Sequence, residues 1–271
     1  MNIIKIWGGL GNQMFQYAFV KGLAHKTGVP FCVDLSFFDN QDPSHRCCIR
    51  TYELERIFGL KLPVVEKDII QKLQKKSPFH WLVGRTLKIH AINPWRRDRD
   101  EKFHPEMWKP VWPKRTDVYY KGYWQHEQYF DFIADEIRKD FTFQIPLSTY
   151  AQGVLQQITT TESISLHVRR TDFVGSENEV DLAYYQQAIQ KIITQLGVVN
   201  NPLCLFMFSD DIEWVKTNYR LELPVVYVDQ TSDQADDMFL MSQCKHNINA
   251  PKSSFSRWAA WLNSNPKKII V

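Results

Sequence analysis

The stretch "SISLHVRRTDF", residues 163–173, joins an alternating apolar run to a dense group of polar residues. Ile164, Leu166 and Val168 alternate with polar residues, which predicts a strand that enters a core. The polar groups at its far end are His167, Arg169, Arg170 and Asp172. Because a guanidinium is costly to bury without an anion beside it, the stretch predicts an anion site at the end of this strand.

The chain after this strand alternates apolar runs with amphipathic ones. Strands are predicted at 163–168, 203–208, 224–228 and 245–249. Helices are predicted at 181–196, 211–218, 233–242 and 254–264. This alternation is typical of a parallel sheet with helices on both faces, where ligands bind beyond the carboxyl ends of the strands.

The N-terminal part begins in the same way. "NIIKIW" predicts a strand, "GGLGNQ" a glycine-rich turn, "MFQYAFVKGLAHKTG" a helix and "VPFCVDL" a second strand. Residues 66–117 lack a clean period and are basic and rich in Trp, so we interpret them as an insertion or helical side wall. We therefore predict an α/β protein with two Rossmann-like lobes, 1–158 and 159–271, separated by a cleft.

Composition limits the functional classes. With 271 residues, 44% hydrophobic, 23% charged and a net charge of +3, the chain is typical of a globular protein and too weakly basic to indicate nucleic acid. Cys32, Cys204 and Cys244 lie in or beside apolar runs, as free cysteines do in a reducing compartment. No signal peptide or apolar run of about 18 residues is present, which predicts a cytoplasmic protein, or one peripheral at the inner face of a membrane.

The glycine-rich turn has several interpretations. Its backbone N–H groups, aided by the following helix, can bind an anion. A dinucleotide fingerprint would use Gly9 and Gly11, but Met14 replaces its third glycine. Asn12 and Gln13 instead offer amide donors and acceptors. A tight turn without a ligand is equally compatible with the sequence.

The groups at the strand ends of the C-terminal half also have alternatives. Alternation sends Arg169 and Arg170 to opposite faces, so one is expected to meet a ligand and the other to pair with Asp172 or brace the cleft. The alternative for this stretch is an internal salt bridge. In "FSDD", a carboxylate of Asp210 or Asp211 is able to accept from the N1–H and N2–H of guanine. Ser209-Asp210-Asp211 is equally typical of a helix N-cap, so one aspartate is able to cap the next helix while the other reads the base. Ser253 and Ser254 lie at the start of another helix, where their hydroxyls and the free backbone N–H groups are able to bind a phosphate.

Together these motifs resemble the α-1,2-fucosyltransferase family, glycosyltransferase family 11. The resemblance rests on "GGLGNQMFQYAF", "GYWQHEQYF", "SLHVRRTDF", "FSDDIEWVK" and "DDMFLMSQCKHNINAPKSSFSRWAAWLN". It implies a GT-B-type fold, GDP-L-fucose as co-substrate, and inverting transfer to O2 of a galactose, with no metal and no other cofactor. The implied acceptor is a galactose-terminated oligosaccharide or a lipid-linked glycan, as in O-antigen biosynthesis.

The resemblance also implies roles for individual residues. Arg169 would bind the β-phosphate, with His167 beside the donor, and Asp210 or Asp211 would read guanine. Ser253, Ser254 and Phe255 would hold the diphosphate and ribose, and Gly11, Asn12 and Gln13 would face the donor sugar. Arg169, His167 and Asn12 are the predicted catalytic residues. The remaining predicted donor-binding residues are Gly9, Arg170, Asp172, Ser209 and Lys252. Two departures from the family pattern lie near the serines: Arg257 replaces a Trp, and Pro251-Lys252 replaces a single Asn, which adds one residue.

The candidates for the general base are Asp34, Asp39, His126 and Glu127. "GYWQHEQYF" is expected to belong to the acceptor wall, and the basic region 81–112 either contacts an anionic membrane or forms a solvated wall. Alternative functions are a transferase for another GDP-deoxyhexose or linkage, a non-catalytic sugar-binding module and a nicotinamide enzyme.

Overall fold

A computed structural model describes residues 1–39, 41, 49–74, 95–97, 102–109, 117–170, 174–175, 180–197, 201–219, 221 and 223–271. The chain divides into two compact units, Met1–Gln144 and Ile145–Val271. Each contains a parallel sheet with helices, as the sequence predicts. None of the described helices has both the length and the apolar character needed to cross a membrane.

The first unit is built around a parallel sheet with strand order β2-β1-β4-β3. Its strands are β1 (Asn2–Lys5), β2 (Phe31–Asp34), β3 (Trp95–Arg97) and β4 (Val118–Lys121). Its α-helices are α1 (Leu10–Thr27), α2 (Ser36–Asp39), α3 (Leu54–Phe58), α4 (Lys67–Gln74) and α5 (Ala134–Asp140). Short 3-10 turns span Pro105–Trp108, Glu127–Tyr129 and Asp131–Ile133.

The second unit has a parallel sheet with order β7-β6-β5-β8. Its strands are β5 (Glu162–Val168), β6 (Leu203–Ser209), β7 (Val225–Tyr227) and β8 (His246–Ile248). Its helices are α6 (Thr149–Thr160), α7 (Leu182–Leu196), α8 (Ile212–Asn218), α9 (Gln234–Gln243) and α10 (Ser254–Leu262). Every strand and helix predicted after residue 163 is confirmed, with small differences at the ends.

The core of the second unit explains why β5 is central. Ile164, Leu166 and Val168 are buried in one cluster with residues of β6 and α7. The predicted burial of Cys32, Cys204 and Cys244 as free thiols is also confirmed, whereas Cys47 and Cys48 lie outside the described residues.

Three features differ from the sequence prediction. Helix α1 begins at Leu10, so Gly11, Asn12 and Gln13 lie in its first turn and only Gly8 and Gly9 precede it. The region 66–117 supplies β3, which pairs with β4, so it is not simply a helical wall. The boundary along the chain falls between Gln144 and Ile145, earlier than the predicted boundary at 158. Helix α6 therefore belongs to the second unit, where it packs on β5 and α9.

Close packing of α1 generates a stability prediction. A Cβ atom on Gly22 would lie 2.0 Å from the backbone oxygen of Tyr129, so Gly22→Ala forces the helix away from the Glu127–Tyr129 turn. We expect a loss of at least about 2 kcal/mol in the free energy of unfolding, measured by urea titration.

Gly153→Ala is the matched control. Gly153 also lies inside a helix, α6, but a Cβ atom there would have no packing neighbour within 4 Å. It should be stabilising by about 0.5–1 kcal/mol, because alanine restricts the unfolded chain. Equal effects of the two substitutions would contradict the packing argument.

Candidate functional site

The carboxyl ends of β5, β6 and β8 form one edge of the second sheet. Val168 of β5 is in register with Ser209 of β6, and Leu166 with Ile248 of β8. The residues that follow these strands are therefore brought together at this edge, which is where parallel sheets bind ligands.

Arg169 is held by Asp210 at this edge. Its Nη1 atom lies 3.1 Å from Asp210 Oδ2, and the Arg170 backbone N–H donates to Asp210 Oδ1 at 2.8 Å. The side chains of the pair are 21% and 19% exposed, so both remain accessible to solvent. The structure thus realises the internal ion pair that the sequence left as an alternative.

Arg170 has a bracing role. Its Nε atom lies 3.4 Å from Asp211 Oδ2, and its guanidinium carbon lies 3.3 Å from the centroid of the Trp214 ring. Asp211 also caps α8 by accepting from the Trp214 N–H. Arg170 therefore braces the edge, as expected for one of the two arginines, although its ionic partner is Asp211. Asp172, the predicted partner, lies outside the described residues.

The "FSDD" residues are also engaged by the protein. Asp210 pairs with the Arg169 guanidinium and accepts from the Arg170 N–H. Asp211 pairs with the Arg170 guanidinium and caps α8. The Ser209 hydroxyl accepts from the Asp211 N–H at 3.0 Å. A bidentate contact with guanine would therefore compete with one of these bonds. Asp211 is the more exposed carboxylate, at 40%.

His167 is a buried and neutral imidazole. Its side chain is almost completely buried in β5, and burial, followed by the charge of Arg169, lowers its pKa to about 4. Within the part of the chain that the structure describes, its Nδ1 atom is buried without a hydrogen-bond partner. Such an atom costs about 1–3 kcal/mol, so a ligand that bonds to it is favoured.

The start of α10 lies beside His167. The rings of His167 and Phe255 are 5.7 Å apart between centroids. Ser253 caps the helix by accepting from the Ser256 N–H, whereas within the described residues Ser254 Oγ makes no hydrogen bond. Ser253 is therefore the cap, and the contact of Ser254 with a phosphate stays a prediction.

Pro251 and Lys252, which replace a single Asn of the family pattern, form a tight turn before α10. The Ser253 N–H donates to the Ala250 carbonyl at 3.0 Å, and Lys252 has φ +60°. Proline at the second position and a positive φ at the third define a type II turn. The departure from the family pattern therefore leaves the Ser253 cap intact and places the exposed Lys252 beside it.

In the first unit, the glycine turn also lies at the carboxyl edge of its sheet. Gly8 has φ +80°, and a Cβ atom there would lie 2.9 Å from Asn12 Nδ2. Gly9 precedes α1 without a side-chain cap. Asn12, in the first turn of the helix, is half-buried, and its Oδ1 accepts from Gln125 Nε2 at 2.9 Å.

Gln13 does not fit its predicted contact with the donor sugar. Its side chain has no exposed surface. Its Nε2 atom donates to the carbonyls of Gly8 and Thr51, and its Oε1 accepts from the Glu53 N–H. Gln13 therefore ties the segment after Arg50 to the glycine turn and is a structural residue.

The four base candidates fall into different settings. Asp34 is buried and accepts from the Tyr119 hydroxyl and the Ser36 N–H, so it is structural rather than a base. His126 Nδ1 accepts from the Gln128 N–H. Asp39 and Glu127 are exposed, and Asp39 lies 3.5 Å from Lys67 Nζ. These last three stay candidates.

Two polar residues near the glycine turn escaped the sequence analysis. Gln125 lies in "GYWQHEQYF" and contacts Asn12. The Arg50 guanidinium carbon lies 3.9 Å from the position of a Cβ atom on Gly9. Its backbone is held by two hydrogen bonds to Gln41. Gln125 lies in a motif expected to form the acceptor wall, but its contact with Asn12, like the position of Arg50 beside Gly9, depends on the fold and not on the local sequence.

The fold is shared with known glycosyltransferases. POFUT1 in complex with GDP-fucose matches with a TM-score of 0.52 and 12% identity, over 99% of this chain and 97% of that one. A mutant of Arabidopsis thaliana FUT1 in complex with GDP matches with a TM-score of 0.53 and 14% identity, over 99% of this chain and 69% of that one. The two parallel α/β units thus belong to the GT-B class of folds.

The family model for glycosyl transferase family 11 matches residues 1–271, so the chain belongs to that family and is a glycosyltransferase. It is 30% identical to the alpha-1,2-colitosyltransferase of Escherichia coli, over 99% of this chain and 90% of that protein. It is also 30% identical to the O-antigen biosynthesis glycosyltransferase WbnK of Escherichia coli, over 97% and 91%. Galactoside 2-alpha-L-fucosyltransferase Sec1 of Mus musculus is 24% identical, over 97% and 64%. The resemblance drawn from the motifs is confirmed.

The depressed pKa of His167 predicts a pH-dependent stability. Below its ordinary pKa of 6.5 the unfolded imidazole takes up a proton, whereas the folded one stays neutral down to about pH 4. The unfolding free energy should therefore fall as the pH is lowered from 6.5 to 4, with a slope from this group of at most about 1.4 kcal/mol per pH unit.

Urea titrations across this range with wild type and His167→Gln would test this expectation. Glutamine is polar but does not titrate, so the variant should lose stability less steeply on acidification. Parallel slopes for the two proteins would contradict the buried, neutral imidazole.

Proposed function

We propose that this chain transfers L-fucose from GDP-β-L-fucose to O2 of a galactose in a glycan acceptor, with inversion and without a metal. The observation that carries the proposal is the convergence of Arg169, the unpartnered Nδ1 of His167 and the start of α10 at one sheet edge. Membership of glycosyl transferase family 11 supports the reaction class.

The charged groups at this edge suit a departing diphosphate. Arg169 is fixed by Asp210 yet partly exposed, and Ser254 and Lys252 lie at the N-terminus of α10. Backbone N–H groups and the helix dipole favour an anion there. As the bond to the sugar breaks, negative charge grows on the β-phosphate, so contacts with Arg169 strengthen in the transition state and lower the barrier.

His167 contributes a polar atom rather than a charge. Because its pKa lies near 4, it is neutral at physiological pH. Its unpartnered Nδ1 is suited to one hydrogen bond with the nucleotide sugar, which would offset the cost of leaving that atom buried.

The acceptor hydroxyl attacks the anomeric carbon from the face opposite the diphosphate. This single displacement turns the β-linked donor into an α-linked product. Asp39, His126 and Glu127 remain the candidate bases. Base assistance is a small requirement where the transition state is loose and the leaving group is activated.

A second donor is favoured by one relative. Colitose is a deoxyhexose that lacks the 3-hydroxyl of fucose, and the relative named as an alpha-1,2-colitosyltransferase is 30% identical across almost the whole chain. GDP-colitose is therefore the alternative donor. The discriminating feature would be a hydrogen bond to the 3-hydroxyl, whose loss in a site built for fucose is costly.

The proposal is tested by incubating the purified protein with GDP-fucose or GDP-colitose and a panel of galactosides, with EDTA throughout. We expect fucosylated product, with the linkage at O2 established by NMR spectroscopy. A preference for GDP-colitose would show that fucose is not the preferred donor sugar. A linkage to another hydroxyl would reject O2 of galactose as the acceptor position.

The EDTA in this assay tests metal independence separately. Activity that returns only on addition of Mg²⁺ or Mn²⁺ would overturn the metal-free proposal. Among the described residues, no group of three His, Cys, Asp or Glu side chains is placed to hold a metal ion, and metal independence stays a prediction.

Arg169→Met tests the leaving-group contact. Losing a donor to the developing diphosphate charge should lower kcat by about 10²- to 10³-fold. Arg170→Met is the matched control, because it removes the guanidinium that contacts Trp214 and pairs with Asp211 but leaves Arg169 in place. This variant should lose stability and retain more of its kcat, as measured by fucose transfer at saturating donor. Similar kcat losses in both variants would count against a specific role for Arg169.

A further inference from the structure

The side-chain amide of Asn12 has a defined orientation. Its Oδ1 accepts from Gln125 Nε2 at 2.9 Å, so the carbonyl end of the amide faces Gln125. Its Nδ2 lies on the side of Gly8, where a Cβ atom would come within 2.9 Å. An amide carries an acceptor at one end and two donors at the other, so this bond decides which end meets a ligand.

Gln125 is itself held firmly by the fold. It is buried and directly follows Trp124, which has φ +57° and no exposed surface. The Trp124 ring stacks on Phe19 of α1, with centroids 4.0 Å apart and planes 8° from parallel. The rings of Tyr120 of β4 and Tyr129 each make T-shaped contacts with both Phe19 and Trp124. A bulky residue with positive φ is strained, and this aromatic packing keeps the chain in that conformation.

We propose that Gln125 is a positioning residue that makes Asn12 a hydrogen-bond donor. By occupying Oδ1, it leaves the Nδ2 hydrogens to face an oxygen of the nucleotide sugar, either on the sugar or on its phosphate. This inference rests on the proposed function together with the contact between Asn12 and the donor sugar that the family resemblance implies. It also means that Asn12 does not accept the proton of the attacking hydroxyl.

Gln125→Glu tests the orientation, because a carboxylate only accepts hydrogen bonds. Asn12 should then turn so that Nδ2 donates to the carboxylate and Oδ1 faces the ligand oxygen. We expect kcat for sugar transfer to fall by about 10²-fold at neutral pH. As the pH is lowered and the introduced carboxylate becomes protonated, its hydroxyl is able to donate to Oδ1, so the deficit relative to wild type should shrink.

Gln125→Met is the control, since it is similar in size but forms no hydrogen bond to either end of the amide. Its deficit should be smaller, about tenfold, and independent of pH. A double-mutant cycle with Asn12→Ala gives a second test. If Gln125 acts through Asn12, adding Gln125→Met to Asn12→Ala should not reduce kcat further. Additive losses, or a Gln125→Glu deficit that does not change with pH, would overturn the proposal.

A direct measurement separates this inference from the proposed function. The side-chain NH₂ signals of Asn12, identified by their loss in Asn12→Ala, should move downfield in Gln125→Glu and not in Gln125→Met, because only the carboxylate offers an acceptor. Failure to transfer any GDP-sugar with these shifts present would reject the function and retain the orientation. Unchanged NH₂ signals in Gln125→Glu would reject the orientation whatever the activity.

Discussion

The parallel register of β5 with β6 and β8 is the constraint on which the candidate site of the second unit depends. It fixes Val168 opposite Ser209 and Leu166 opposite Ile248, so the polar residues after each strand meet at one edge. A shift by one residue would turn Ile164, Leu166 and Val168 out of the core and reverse the faces of His167 and Arg169. The apolar cluster therefore specifies the chemistry at the edge as well as the fold.

At that edge the protein offsets its own positive charge before any ligand arrives. Arg169 is paired with Asp210, and Arg170 with Asp211 and Trp214. Pairs that are partly exposed contribute little to stability, about 0–1 kcal/mol each, so their main effect is to fix the side chains in place. An arginine fixed in this way loses little conformational freedom when a diphosphate binds, which is the physical content of preorganisation.

The elements of the second unit were predictable because the hydrophobic period and the length of each segment indicate the same element type along residues 163–262. The region after β5 was predictable because Arg169 and Arg170 follow a buried strand there. Side-chain roles were less predictable. Gln13 stands in a motif that suggests a ligand, yet it has no exposed surface and bonds Gly8, Thr51 and Glu53, the last two of which lie far along the sequence. Asp34 is buried against Tyr119 for a similar reason. The spacing of residues reports local structure, whereas these contacts depend on which strands become neighbours.

Each of the two candidate sites has a residue with a strained backbone beside it. Among the described residues, the non-glycine residues with positive φ are Trp124 and Lys252. Each directly precedes a residue that orients a site: Gln125 bonds Asn12, and Ser253 caps α10. Such a conformation costs about 1–3 kcal/mol and persists only where the surroundings compel it. Stacking on Phe19 does so for Trp124, and Pro251 with the hydrogen bond across the turn does so for Lys252. The strain at Trp124 is therefore maintained by packing that the local sequence does not reveal, whereas the strain at Lys252 is maintained by the local turn that begins with Ala250-Pro251.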